Sequence, residues 1–387
     1  MTISLFKIPS FSEEQNLENR LGKALEYFQK RAPVIFVSQH YQYWDKHGFV
    51  QQSLAKELVK AGIKVEWYDG CHWKRQSMTK TWDSPDLKLS QLPCLPLRRI
   101  PWVDSLNPWV QTRFLKKRVN FKNAPFLWVQ SGLDERVVNE LPYVDVFSVF
   151  DDPYLHSPSG VLSSKAKLIT TQNVFAQNLF EPEQGSKVIS LFPPVEMEPK
   201  CFEDDMNFEF SSSFPTKIMG YIGSFFSDGF DLVLFENFIK TMPDWGFVLC
   251  GRTDSFGMRK VEYWSKYKNF FYVPWVPRNK VGSLWRKLNL NLMLYRPAPN
   301  SDGAFPVKFL EALFYRVPSL TTSVPKTSSL EGVIPRLTFP DDLKTEATKL
   351  ALSKEQPMDE LFRKFSFAMD PKIHLIQVAE FTQQRDH

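Results

Sequence analysis

A chain of 387 residues exceeds one ordinary core, so two domains of similar size are expected. Hydrophobic residues make up 43% and charged residues 24%, a globular composition that argues against disorder. The net charge is only +5, and no apolar run approaches the roughly 20 residues that span a bilayer.

The opening MTISLFKIPSFSEEQ lacks the apolar core of a signal peptide. Ser12 to Lys30 reads as a helix, with Leu17, Leu21, Leu25 and Phe28 near helical spacing. Val34 to Val37 is a continuous apolar run suited to a strand buried on both faces. A polar loop from Gln39 to His47 follows, with His40, Asp45 and His47. A helix from Gly48 to Ala61 and a strand from Ile63 to Tyr68 complete a βαβ unit, whose crossover implies a parallel sheet.

Residues 98–123 carry seven basic side chains against one acid, Asp104, a net +6 that leaves the rest of the chain near −1. Trp102, Trp109, Phe114 and Phe121 interleave with them. Such a segment docks on an anionic membrane surface or on nucleic acid, or is a solvated helix face. From Asn107-Pro108 onward the apolar positions fall on no clean helical stripe, which weighs against a membrane helix.

Strands are expected at 126–129, 144–150, 167–171 and 187–192, with helices at 133–141 and 173–179. Pro193-Pro194 and the acidic, Ser-rich stretch from Glu203 to Ser213 form the best linker. A second series follows, with strands at 218–222, 246–250, 270–273, 290–295 and 318–321. Its helices are expected at 231–240, 277–287 and 306–315, and the tail 371–383 is also helical. The four cysteines (Cys71, Cys94, Cys201, Cys250) form no C-x-x-C pair, which fits reduced thiols in a cytoplasmic protein better than disulfides or zinc.

Ligands of parallel sheets bind beyond the carboxyl ends of strands. There the segment Pro306-Val307-Lys308-Phe309-Leu310-Glu311 opens a helix, with proline suited to its first turn. Lys308 and Glu311 share one helix face. Spacing alone reads first as a surface ion pair. A lysine beside the free N–H groups of a helix start also suits a diphosphate.

The run NLNLMLYRPAPNSDGAFPVKFLEALFYRVPSLTT resembles the donor-binding region of GT-B glycosyltransferases, including glycosyltransferase family 4. The resemblance implies that Glu311 binds the ribose and that Lys308 lies near the phosphates or sugar. Many members have a second Glu eight positions before the ribose Glu, where this chain has Gly303. KIMGYIGSFFSDGFDLVLFENFIKTMPDWGFVLCGRTD resembles the first strand, glycine turn, helix and second strand of that domain, implying donor contacts from Gly223, Ser224 and Arg252. NFFYVPWVPRNKVGSLW matches the segment that contacts the nucleotide base, here Trp275 and Val276.

VDVFSVFDDPYLHS resembles the acidic strand end of bacterial members such as the xanthan-type glucuronosyltransferases. That resemblance implies Asp152 as general base, with Asp151 the alternate; both are equally able to cap the following turn. His47 or His40 would assist the acceptor or the phosphates.

The expected fold is therefore α/β: two Rossmann-like domains facing a cleft (GT-B), each with a parallel sheet. Residues 1–200 would bind the acceptor, 205–365 the nucleotide-sugar donor, and 366–387 would return as a helix to the first domain. The implied reaction moves a hexose-type sugar from a UDP- or GDP-sugar to a glycan or lipid-linked acceptor, in polysaccharide or glycoconjugate synthesis. No metal or other cofactor and no nucleic acid is expected, and the enzyme would be cytoplasmic or peripheral on the inner face of the membrane. The rival readings are a nucleotide-sugar epimerase and a non-catalytic GT-B-like scaffold, the latter favoured by Gly303.

Overall fold

The computed structural model describes residues 11–38, 50–72, 84–96, 100–149, 165–172, 187–194, 208–277, 280–296, 305–322, 336–337, 343–352 and 358–386. The chain divides into two units: Met1–Glu196 with Phe367–His387, and Met197–Ser366.

The first unit runs α1 (Phe11–Lys30), β1 (Val34–Val37), α2 (Val50–Lys60), β2 (Val65–His72), β3 (Leu87–Pro93), α3 (Pro101–Asp104) and α4 (Asn107–Arg118). It continues through β4 (Leu127–Gln130), α5 (Glu135–Glu140), β5 (Val144–Val149), β6 (Ala166–Thr171) and β7 (Lys187–Ser190). All seven strands are parallel, in the order β3-β2-β1-β4-β5-β6-β7.

The unbroken apolar run of β1 is explained by cores on both faces. Val34 and Phe36 join the core with α1, α2 and the C-terminal helix, while Ile35 and Val37 join the one with α4 and α5. Phe36 stacks between Trp67 and Trp128, its register partners on the neighbouring strands, at 5.1 and 5.2 Å.

One buried charge organises this unit. The Asp145 carboxylate, fully buried on β5, accepts both arms of Arg31 at 2.7 and 2.8 Å and the backbone N–H of Leu127 at 2.8 Å. Lys167 bridges it to Asp386 beyond the C-terminal helix, and the Tyr27 hydroxyl also donates to Asp386. Burial alone would raise the Asp386 carboxyl, but the bonds from Lys167 and Tyr27 outweigh it and hold the group below its ordinary value.

The second unit runs β8 (Lys217–Ile222), α6 (Leu232–Thr241), β9 (Trp245–Cys250), α7 (Ser255–Trp264), β10 (Phe270–Val273) and α8 (Val281–Trp285). It continues through β11 (Leu290–Met293), α9 (Val307–Phe314), β12 (Ser319–Thr322), β13 (Arg336–Leu337), α10 (Leu343–Leu352) and α11 (Met358–Met369). Its sheet is again parallel, ordered β10-β9-β8-β11-β12-β13. The chain then re-enters the first unit as α12 (Pro371–Gln383), where Ile373, Leu375, Ile376, Val378 and Ala379 pack into the core with α1 and α2.

Several elements were not anticipated, among them the short α3 and β13. β3 is an edge strand of mixed burial, and α7, α10 and α11 lie where no element was expected. Of the helix expected at 277–287, Val281–Trp285 is helical, and residues 278–279 lie outside the described residues. The expected helix at 173–179 lies outside the described residues.

Candidate functional site

In an open parallel sheet, crossovers leave in opposite directions on either side of the first strand, opening a crevice at the carboxyl ends. In the second sheet this switch point lies between β8 and β11. The chain leaves β8 through Gly223 and reaches α9 from β11, so a glycine turn and a helix start flank the same point.

A Cβ on Gly223 would lie 3.0 Å from Lys308 Cε, so the lysine stem rests on the backbone of the turn. Lys308 Nζ donates to Glu311 Oε2 at 2.8 Å, with the two side chains 31% and 17% exposed. Phe309, Leu310, Ala312 and Leu313 are buried, which rotates the ion pair away from the core. No side chain caps the start of α9, and its first turn holds no acid. The positive end of the helix is thus not neutralised by its own residues.

The glycine turn is held from both sides. Gly223 N–H donates to the Cys250 carbonyl at 2.8 Å, Gly251 N–H to Val273 at 2.9 Å, and Phe225 N–H to Arg252 at 3.0 Å. Gly251 has φ of 136°, and a Cβ there would lie 2.2 Å from the Gly223 carbonyl oxygen, so only glycine fits. Asp254 accepts from the Ser227 backbone and hydroxyl at 2.9 and 2.5 Å; the Ser227 hydroxyl, followed by backbone N–H donors, holds its carboxyl below the ordinary value. From the other side, Arg296 N–H donates to the Gly229 carbonyl at 3.1 Å and its guanidinium to that of Ser227 at 3.2 Å. The loop is thus tied by hydrogen bonds to the segments after β9 and β11.

The remaining candidates on this unit also lie at the carboxyl ends of strands. Ser224 follows β8 and is exposed; Arg252 follows β9 and is exposed; Trp275 follows β10 and is 45% exposed. The Val276 side chain is buried in a core with Leu284, Trp285 and Leu288, which leaves its backbone as the part able to meet a ligand. Asp151, Asp152, His47, His40, Asp45 and Gly303 lie outside the described residues.

Two tyrosines had not been singled out. Tyr221 and Tyr295 are buried with rings edge to face at 6.3 Å, and a Cβ on Gly223 would lie 3.0 Å from the Tyr221 hydroxyl. Burial, helped by the negative charge of Glu311, pushes the Tyr221 hydroxyl up to about 12 and that of Tyr295 well above its ordinary value. Both remain neutral hydrogen-bonding groups behind Glu311. Each ends an apolar strand run, where a sequence reads it as core filling. Burial likewise pushes the Cys250 thiol up to about 12, so it is a packing residue and not a nucleophile.

No protein-family model matches this sequence, and no curated protein matches it. Solved structures do. Alr3699/HepE from Anabaena, in complex with UDP and glucose, aligns at a TM-score of 0.58 and 11% identity, over 90% of this chain and 97% of that one. The apo lipopolysaccharide outer core galactosyltransferase WaaB aligns at 0.55 and 14% identity, over 90% of this chain and 99% of that one. The sucrose-phosphate synthase of Thermosynechococcus elongatus aligns at 0.59 and 12% identity, over 91% and 97%. At these identities the likeness is one of fold, and the fold is GT-B: two parallel α/β units carried by one chain.

Proposed function

We propose that this chain is a glycosyltransferase whose donor, a nucleotide-diphosphate sugar, binds at the β8–β11 switch point. The observation that carries the reading is the meeting there of a pinned glycine turn, an uncapped helix start and the Lys308–Glu311 pair at 2.8 Å. A nucleotide diphosphate replaces that ion pair with two contacts of the same charge sense. Lys308, with Arg252 and the Ser224 N–H, turns to the phosphates, and Glu311 accepts the ribose hydroxyls. Trp275 offers a face for the base.

Two of the neighbours support this reading: the HepE structure contains UDP and glucose, and WaaB is a galactosyltransferase. The finer reading is a hexose taken from a UDP- or GDP-sugar and passed to a glycan or lipid-linked acceptor. The acceptor oxygen bonds to the anomeric carbon as the bond to the diphosphate breaks. The diphosphate leaves with the electron pair, and in an inverting reaction the acceptor proton passes to Asp152 or Asp151, with His47 assisting. Fixed cations and a helix start offset the leaving charge, so turnover needs no metal.

Incubation with a panel of nucleotide sugars, with and without acceptors, tests the reaction. Nucleotide diphosphate released only with acceptor supports transfer; interconversion without acceptor would make the protein an epimerase, and binding of no nucleotide would make it a scaffold. Glu311→Ala should weaken nucleotide affinity about 10- to 100-fold, the worth of charge-assisted bonds to two hydroxyls. Unchanged affinity by calorimetry would overturn the ribose role.

A further inference from the structure

A surface helix ordinarily buries its apolar side. α4 departs from this, because three of its buried residues are polar and one of its largest apolar side chains, Trp109, is exposed. Its inward face is Asn107, Pro108, Gln111 and Thr112, with Leu115 the residue that joins the core cluster. Asn107 is held there by polar bonds, accepting from the Leu95 N–H at 2.6 Å and donating to Asp104 at 3.0 Å.

Four large apolar residues on α3, at the junction and on α4 point outward. Trp102 is 67% exposed, Trp109 61%, Leu106 45% and Ile100 37%. Nine large hydrophobics are exposed among the described residues, and these four sit within ten consecutive positions, so they form a patch and not the usual scatter. Ser105 (φ −63°, ψ −18°) and Leu106 (φ −87°, ψ −16°) keep helical dihedrals, so α3 and α4 continue one another. Trp102, Leu106, Trp109, Arg113, Lys116 and Lys117 then follow helical spacing along one outward face. The Arg113 guanidinium lies 5.4 Å over the Trp109 ring, at the junction of the apolar and cationic halves.

We infer that this face docks on an anionic lipid bilayer. Charge complementarity selects the occupant: residues 98–123 hold a net +6 in a chain whose total is +5, Arg113 lies over Trp109, and Lys117 and Lys116 (the latter in an exposed pair with Glu140 at 3.0 Å) extend the cationic face. Indole rings settle at the headgroup level, while each lysine or arginine near an anionic surface adds attraction. No helix among the described residues is long and apolar enough to cross a membrane, so the contact is lateral. α3 follows the carboxyl end of β3, which puts the tryptophans at the ligand-binding edge of the first sheet. One consequence rests on the transferase reading, namely that a lipid-linked acceptor reaches the first unit from this side. The docking itself does not.

Flotation with phosphatidylcholine vesicles, with or without phosphatidylglycerol, tests it on the full chain without nucleotide. The protein should float with the anionic vesicles and remain behind with the neutral ones. Lys116→Gln/Lys117→Gln should lower partitioning about thirty-fold, and Trp102→Ser/Trp109→Ser at least as much, with thermal melting unchanged for these exposed sites. Absence of flotation with anionic vesicles, or flotation of either variant equal to that of the unsubstituted protein, overturns the inference. So does a concentration-dependent dimer in sedimentation that the tryptophan substitutions abolish, since a second copy would then cover the face. Nucleotide binding by calorimetry is read separately, so its failure leaves this result standing.

Discussion

His374 should make the first unit acid-sensitive. It lies on α12 at 4% exposure, with the Trp128 ring 6.5 Å away and no hydrogen-bond partner for Nε2 among the described residues. Burial lowers its pKa to about 3 from the ordinary 6.5, against a smaller opposing effect of the bond to the Phe192 backbone. Between those values the unfolded chain binds a proton that the folded chain refuses. Stability is therefore full above about pH 6.5 and falls by roughly 1.4 kcal/mol for each unit of pH below it. At about pH 5 the loss reaches roughly 2 kcal/mol, a large share of an ordinary domain's stability. His374→Asn keeps a donor near the Nδ1 position and cannot titrate. Urea denaturation of both proteins from about pH 7.5 to about pH 5 should show their stability difference shrinking or reversing by roughly 2 kcal/mol. Comparing the two also cancels the titration of Asp386. A difference that stays constant with pH would refute the buried neutral imidazole.

Two further substitutions test the frame of the site and of the first unit. Gly251→Ala drives a methyl to 2.2 Å from the Gly223 carbonyl, so the turn must retreat by about 1 Å. Nucleotide affinity should fall by roughly 100-fold, the scale of a displacement of that size, and calorimetry showing native affinity would refute the contact. Asp145→Asn leaves Arg31 and Lys167 facing a neutral group in the interior, and should cost about 3–5 kcal/mol in chemical denaturation. A loss below about 1 kcal/mol would mean that the pair is hydrated.

The parallel sheets were legible because their strands announce themselves. VIFV, KIMGYI and WGFVLC are unbroken apolar or β-branched runs, and each is buried nearly end to end. β3 was not legible, since LKLSQLP pairs on one side only and need not be apolar throughout. α4 defeated the periodicity argument for a definite reason: polar Asn107, Gln111 and Thr112 share its inward face with Pro108 and Leu115, and Trp109 faces outward among cations, so no clean apolar stripe exists to find. α7 begins Ser-Phe-Gly and relies on Asp254 as its cap, which a hydrophobic pattern does not register.

At the candidate site, the spacing of Lys308 and Glu311 was readable, but the approach of Gly223 to Lys308 was not. That approach depends on β8 and β11 becoming neighbours across the switch point, a fact of topology and not of local sequence. Tyr221 was hidden for the same reason, because it packs in the core against Tyr295 and also reaches the glycine turn.

The return of α12 has a consequence for how the protein is made. The first unit owns both Met1–Glu196 and Phe367–His387, so the second is an insertion within it. During synthesis the sheet of the first unit emerges early, yet the helix that covers α1 and α2 appears only after the whole second unit has been translated. At usual rates that interval is about ten to thirty seconds. Throughout it the apolar side of Phe28, Leu54 and Leu58 awaits its cover, and at its end the second unit has all its residues while the first still lacks α12. The order of completion is thus the reverse of the order of synthesis, and ribosome-bound chains stalled before α12 should engage chaperones through that uncovered face.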